Sequence, residues 1–199
     1  MQKVTVFGFA ILALALMPRV SHAQGISITP QIGVYVPANN LDSLRSGAQQ
    51  VRVKREGDLA LGLNIDLGFL RGTVAYASAA KLNQKSTIGG TETQVGEGKL
   101  LAVAGDIVLR PIPRLIVVQP YLLAGAGLRR ANYSYDDDGL ANAFPKDDSD
   151  FALHAGVGAD VMLGPVGVSA ELTDFISKNS DDKWKQHDGF GFVGLKLKF

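Results

Sequence analysis

The feature that most constrains the fold is a strict alternation of apolar residues with small or polar ones. It is clearest over residues 59–68, where one parity holds Leu59, Leu61, Leu63, Ile65 and Leu67 and the other holds Ala60, Gly62, Asn64, Asp66 and Gly68. A strand places alternate residues on opposite faces, whereas a helix would spread these leucines around its whole circumference. The segment therefore predicts a β-strand with one apolar face.

The same alternation recurs along the rest of the chain and predicts eight strands. These strands are expected over residues 26–36, 59–68, 71–79, 100–110, 118–129, 151–163, 166–175 and 190–199. Short links, around 68–70, 111–115 and 164–165, take turns with long polar links over 37–52, 80–98, 130–150 and 176–189. Tight turns at one rim and long loops at the other are typical of an antiparallel up-and-down barrel.

The N-terminal residues have the three parts of a secretory signal. Lys3 is followed by an uncharged apolar run over residues 4–17, and Ser21 and Ala23 place small residues before the expected cut after Ala23. The run is shorter than the ~20 residues that a spanning helix needs. We therefore expect a signal peptide over 1–23 and a single barrel domain over 24–199.

Composition excludes several classes of function. The chain has no cysteine, so thiol catalysis, thiolate metal sites and disulfides are excluded. The formal net charge of +1 does not fit a strongly basic nucleic-acid-binding protein. No cofactor and no metal site are expected.

The two faces of the strands differ in a way that predicts the solvent around the barrel. One face is nearly free of charge along every strand; the other carries the charged residues and the glycines Gly33, Gly62, Gly125, Gly127, Gly156, Gly158 and Gly194. A soluble barrel, such as a lipocalin, would hold the apolar face inside, and this remains the alternative. A lipid-facing charge costs about 2–4 kcal/mol at the bilayer midplane, which favours the uncharged face outside. The fold class expected is a closed, all-β, eight-stranded transmembrane barrel.

Charged residues on the inward face are the candidate functional residues. They are Asp66, Arg71, Asp106, Arg110, Arg129, His154, Asp160 and Glu171. Strand position predicts that the three aspartates, Arg71 and Arg110 lie near the short-turn end, and that Glu171, Arg129 and His154 lie nearer the loop end. Buried charges must pair, so a structural ion network in the lumen is expected. The alternative is a narrow pathway for ions or small solutes.

Other polar and aromatic residues permit further interpretations. His154 could act as a base with Asp106 or Asp160, and Ser169 as a nucleophile, but their spacing matches no catalytic motif. A lipid-modifying enzyme is therefore only a second alternative, and no catalytic residue is assigned.

The acidic runs 136–139 and 147–150 are expected in a solvated loop. Four aromatic residues near predicted strand ends are candidates for a girdle at the membrane surface: Tyr76, Phe151, Phe175 and Phe190.

Three segments resemble one known family. The chain ends in an alternating strand over 191–199 that contains Leu195, Leu197 and a terminal Phe199, and the segments 28–35 and 119–127 look like the family's opening and central strands. The chain thus resembles the small eight-stranded outer-membrane β-barrels of Gram-negative bacteria, which include the transmembrane part of outer membrane protein A.

The resemblance implies a location and partners. It implies the cell outer membrane, contact with outer-membrane lipid and lipopolysaccharide, and recognition of the C-terminal strand by the barrel-assembly machinery through Leu195, Leu197 and Phe199. No nucleic-acid partner is expected. A structural role, or surface interaction through the long extracellular loops, is the expected function; the loop partner is open.

Overall fold

The computed structural model describes residues 25–37, 43–46, 49–55, 57–85, 92–111, 118–135, 147–178 and 184–199. The signal peptide predicted over 1–23 lies outside these residues. Within the described ranges, no helix is long and apolar enough to cross a membrane.

The described elements are ten antiparallel strands. They are β1 (Ile26–Pro37), β2 (Ser43–Ser46), β3 (Gln49–Arg55), β4 (Asp58–Leu67), β5 (Leu70–Lys85), β6 (Glu92–Leu109), β7 (Val118–Tyr135), β8 (Asp147–Leu163), β9 (Val166–Lys178) and β10 (Trp184–Lys198). Leaving aside β2 and β3, each strand pairs with the next along the chain, and β1 pairs with β10. The predicted closed, eight-stranded, antiparallel up-and-down barrel is therefore confirmed.

Two of the predicted short turns are present and each depends on a glycine. Gly68 links β4 to β5 and Gly164 links β8 to β9, each with a φ of 69°. This left-handed backbone costs about 1–2 kcal/mol for a residue with a Cβ and almost nothing for glycine. Most of the third predicted turn, over 111–115, lies outside the described residues, because the structure does not describe 112–117.

At the opposite end of the barrel the strands are longer than the sequence predicts. β5 runs to Lys85 and β6 starts at Glu92, so most of the loop predicted over 80–98 is strand. β7 reaches Tyr135 and β8 starts at Asp147, so the two ends of the loop predicted over 130–150 are strand, and 136–146 lie outside the described residues. The hairpin of β2 and β3 pairs with β5.

The strands were predicted too short for a simple physical reason. The apolar alternation located them, but backbone hydrogen bonds can continue an antiparallel hairpin into water without any such alternation. The acidic run 147–150 consequently begins β8 and is not a loop. The predicted loop over 176–189 is shortened in the same way, by β9 and β10. The run 136–139 lies outside the described residues.

The apolar face of the strands points outward. On β4, Leu59 and Leu61 are 52% and 53% exposed, whereas Ala60 and Asn64 are 0% and 1% exposed. The outward face elsewhere includes the exposed side chains of Ile32, Val34, Leu101, Val103, Leu122, Leu153, Val157, Val168, Leu172, Val193 and Leu195. A barrel in water would bury these residues, so the soluble alternative is wrong.

Candidate functional site in the barrel lumen

Arg71 holds two carboxylates at the turn end of the lumen. Its Nε lies 2.5 Å from Oδ1 of Asp66, and its guanidinium also donates to Glu171. All three side chains are buried. Asp66 and Arg71 face each other across the turn at Gly68, so the hairpin itself sets this pair. Glu171 comes from β9 and reaches Arg71 across the barrel axis.

Lys196 joins a third carboxylate to the same group. Its Nζ lies 2.7 Å from Oδ2 of Asp66 and 2.6 Å from Oδ2 of Asp160. Arg110 lies at the margin, with Nη2 4.0 Å from Oδ2 of Asp66 and Nη1 donating to the carbonyl of Gly68 at 3.3 Å. Including Arg110, the three carboxylates are therefore matched by three cations.

Two uncharged polar residues complete this cluster. Tyr121 donates its hydroxyl to Glu171 at 2.7 Å, and the Arg71 guanidinium lies 4.8 Å from the centre of the tyrosine ring. Asn64 Nδ2 donates to Glu171 at 3.3 Å. We call this set the turn-end cluster: Asn64, Asp66, Arg71, Tyr121, Asp160, Glu171 and Lys196.

A buried Asp–His pair lies beside this cluster. Asp106 Oδ1 and His154 Nδ1 are 2.7 Å apart, and Thr73 donates to Asp106 Oδ2 at 2.6 Å. The His154 ring stacks on Phe175 with the centroids 4.1 Å apart. Asp106 and His154 belong to β6 and β8, and the residue of β7 paired with both is Gly125. The pair meets because Gly125 places no side chain between them.

Arg129 forms the third group, toward the loop end. Its Nε donates to Asp188 at 2.7 Å, and its Nη1 lies 3.1 Å from carboxylate oxygens of both Asp148 and Asp150. Tyr35 donates its hydroxyl to Asp188 at 2.5 Å. These five residues form the loop-end cluster.

Interior aromatic rings fill the space near the loop end. Phe190 lies 5.2 Å from Tyr35, 5.5 Å from Phe192 and 5.9 Å from Phe175, measured between ring centroids. Phe175 and Phe190 are buried, so their predicted place in an outer girdle is wrong. Both lie at inward-facing positions of their strands. Phe151 is outside, 53% exposed.

All eight predicted charged residues face the lumen or its margin, but their predicted grouping is partly wrong. Glu171 was expected nearer the loop end and contacts Arg71 of the turn-end cluster. His154 was also expected nearer the loop end; it stacks on Phe175, near that end, and contacts Asp106, which was expected near the short turns. Strands in a barrel are tilted and staggered, so distance along a strand does not give height along the axis. Arg129 is toward the loop end, as predicted.

Sequence reasoning missed several members of these clusters. Three of these members, Asn64, Tyr121 and Lys196, lie at inward-facing positions of their strands. Their parity along the strand could have identified them as lumen residues. Asp188 falls in a segment predicted to be a loop.

Ser169, the candidate nucleophile, contacts Tyr121 Oη at 3.2 Å. Among the described residues, Nε2 of His154 has no hydrogen-bond partner, so no hydroxyl is placed to react there.

An outward apolar band around a charged, side-chain-filled interior decides the environment. Outer-membrane barrels have an outward apolar band and a polar interior, with every backbone edge closed. The protein is a transmembrane β-barrel of the outer-membrane type. Its predicted location, the outer membrane, follows from this surface.

Comparisons with known proteins found similar folds and no sequence relatives. No protein-family description and no curated protein matches the chain. The N-terminal β-barrel domain of OprF from Pseudomonas aeruginosa has a TM-score of 0.47 and 11% identity, covering 89% of this chain and 100% of that one. The E. coli outer membrane protein W has a TM-score of 0.45 and 10% identity, covering 90% and 100%. The membrane setting of this barrel rests on its own exposed and buried faces.

Proposed function

We propose that this barrel is a closed structural element of the outer membrane that presents its long hairpins for surface interaction. The observation that carries the proposal is the filling of the lumen by paired charges and aromatic rings. Arg129, Tyr35, Tyr121, Phe175 and His154 are among the largest fully buried side chains. The interior of an eight-stranded barrel is just wide enough for such side chains.

A conducting pathway would have to cross the turn-end cluster. Arg71 contacts Asp66 and Glu171, which come from opposite parts of the ring, and Lys196 connects Asp66 to Asp160. Separating a buried ion pair so that one charge is left alone costs about 3–5 kcal/mol. The network therefore favours a closed lumen over a permanently open one.

The loop-end hairpins support the surface role. On β6, Glu97 and Lys99 are exposed beyond the apolar residues, and on β7 Arg130 and Asn132 are exposed in the same way. Outward-facing charges of this kind suit water and not lipid. The hairpins thus continue past the membrane as polar β-structure that a partner at the cell surface could contact.

Planar-bilayer recording tests the closed lumen. The wild-type protein is expected to show no stepwise conductance under conditions in which a 16-stranded porin, which holds an aqueous channel, conducts readily. Discrete wild-type steps that change in Asp106→Ala or Arg129→Ala would replace this proposal with the narrow-channel alternative. Heat-modifiable migration in detergent gels verifies that each variant is folded before it is recorded.

A further inference from the structure

The hairpin of β2 and β3 continues two strands of the barrel beyond the apolar belt, at the loop end. β3 pairs with β5 as β4 does, so β3 extends β4. β2 pairs with β3 as β1 pairs with β4, so β2 extends β1. In the barrel, the strand on the other side of β1 is β10. The strand that would have to cover the other side of β2 is therefore also β10.

β10 ends before it reaches β2. The register between β1 and β10 sets Pro37 opposite Asp188. Continued one for one, this register would bring position 41 opposite Trp184, the first residue of β10, so Ser43–Ser46 lies past the end of that strand. β2 is accordingly at one end of the sheet order, and among the described residues it pairs with β3 alone. We call the uncovered side of β2 the open edge.

The open edge presents backbone hydrogen-bonding groups to water. An antiparallel strand bonds to each neighbour through alternate residues, so half of the N–H and C=O groups of Ser43–Ser46 point away from β3. The ring of Trp184 is 44% exposed and lies 6.2 Å from the exposed ring of Phe151, and such rings mark the membrane–water interface. Because β2 lies past Trp184, a peptide in the aqueous phase can reach its open edge.

The two strands of this hairpin are basic. They contain four basic residues and no acidic one, although the formal net charge of the whole chain is only +1. The basic residues are Arg45, Arg52, Lys54 and Arg55. Asp42 and Glu56 flank the strands in sequence and belong to neither. A positive edge repels the same edge of a second copy, which is one way in which natural edge strands avoid pairing with each other, and it attracts a strand of opposite charge.

We propose that the open edge of β2 binds an acidic peptide segment in an extended conformation, which adds to the sheet as a further strand. The backbone groups of Ser43–Ser46 supply the pairing, and the positive charge of the hairpin selects acidic side chains. Acyl chains offer no hydrogen bonds to such an edge, so membrane lipid is not the ligand. The proposal rests on the surface role proposed above, and it names the hairpin and the class of partner.

Fluorescence polarisation with the folded full-length barrel in detergent micelles tests the open edge. The probe is a labelled peptide of eight alternating glutamate and threonine residues, because threonine favours strands. The wild type is expected to bind this peptide and not the matching lysine–threonine peptide. The same acidic peptide methylated at every backbone nitrogen keeps its charge and loses its backbone donors, so it should bind at least about tenfold more weakly.

Charge reversal on the hairpin tests the selection of acidic side chains. The double variant Arg45→Glu, Arg52→Glu is expected to weaken binding of the glutamate–threonine peptide by about tenfold. Lys99→Glu is the matched control, because Lys99 is an exposed basic residue at the loop end of β6, away from β2, and its change should leave binding as in the wild type. Heat-modifiable migration verifies that each variant is folded. An equal loss in Lys99→Glu would contradict the assignment to this hairpin.

Hydrogen exchange locates the peptide without any substitution. Bound acidic peptide should slow amide exchange in residues 43–46 and leave exchange in residues 96–99 unchanged. Equal binding of the methylated peptide, or of a polyphosphate of the same charge, would overturn the proposal by showing charge attraction without strand pairing. Absence of any binding of the acidic peptide would overturn it too. None of these results bears on conductance, which tests the closed lumen separately.

Discussion

Arg71→Ala is expected to lower the free energy of unfolding by about 3–5 kcal/mol, the largest effect of any single charge removal in the lumen. The guanidinium of Arg71 contacts both Asp66 and Glu171, and all three side chains are buried. Its removal leaves Glu171 with no ion-pair partner among the described residues, while Asp66 keeps Lys196 at 2.7 Å and Arg110 at 4.0 Å. Both desolvation and like-charge repulsion then oppose folding.

Urea titration in lipid vesicles measures this effect. Trp184 is the chain's one tryptophan, is 44% exposed at the outer surface, and reports by fluorescence on its transfer between lipid and water. Arg130→Ala is the matched control, because Arg130 is exposed on the outer side of β7; its effect should stay within about 0.5 kcal/mol.

A second substitution separates charge from packing. Glu171→Gln in the Arg71→Ala background removes the carboxylate that has lost its cation, so the double variant should be more stable than Arg71→Ala alone. If Arg71→Ala unfolds at the same urea concentration as Arg130→Ala, the contacts of Arg71 with Asp66 and Glu171 do not stabilise the barrel.

Gly125→Ala is expected to destabilise the barrel by about 3 kcal/mol or more, because overpacking adds to the loss of a buried pair. A Cβ on Gly125 would lie 2.2 Å from the carbonyl oxygen of Gly105 and 2.2 Å from Oδ1 of Asp106. The first of these is backbone and cannot rotate away. The second is the oxygen that binds His154, so the Asp106–His154 pair would also separate.

Gly105→Ala is the control for Gly125→Ala, because Gly105 is a glycine on the adjacent strand. A Cβ at Gly105 would meet nothing within 4 Å, so the change should be neutral or stabilise the strand by about 0.5–1 kcal/mol. Unfolding midpoints and heat-modifiable migration of the two variants are compared in the same vesicles. Similar behaviour of Gly125→Ala and Gly105→Ala would show that the lumen tolerates a side chain at position 125.

The strands within the apolar belt could be predicted from local pattern alone. Alternation at Leu59, Leu61 and Leu63 identified β4 and its outward face, and the short turns at Gly68 and Gly164 were placed correctly. The strand ends were predicted wrongly where the apolar alternation stops. The polar ends of β5 to β8 pair through backbone hydrogen bonds, which leave no mark in side-chain hydropathy.

For the charged residues of the lumen, too, one part could be predicted from local pattern and another part depends on the closed barrel. Parity along each strand is a local property, so the sequence by itself determined that Asp66, Arg71 and Glu171 face the axis and that leucines and valines face lipid. Which charges meet was decided by the closed ring. Arg71 contacts Glu171 100 positions away, and Lys196 contacts Asp66 130 positions away. Closure tilts and staggers eight strands together, so the height of every side chain depends on all eight registers at once.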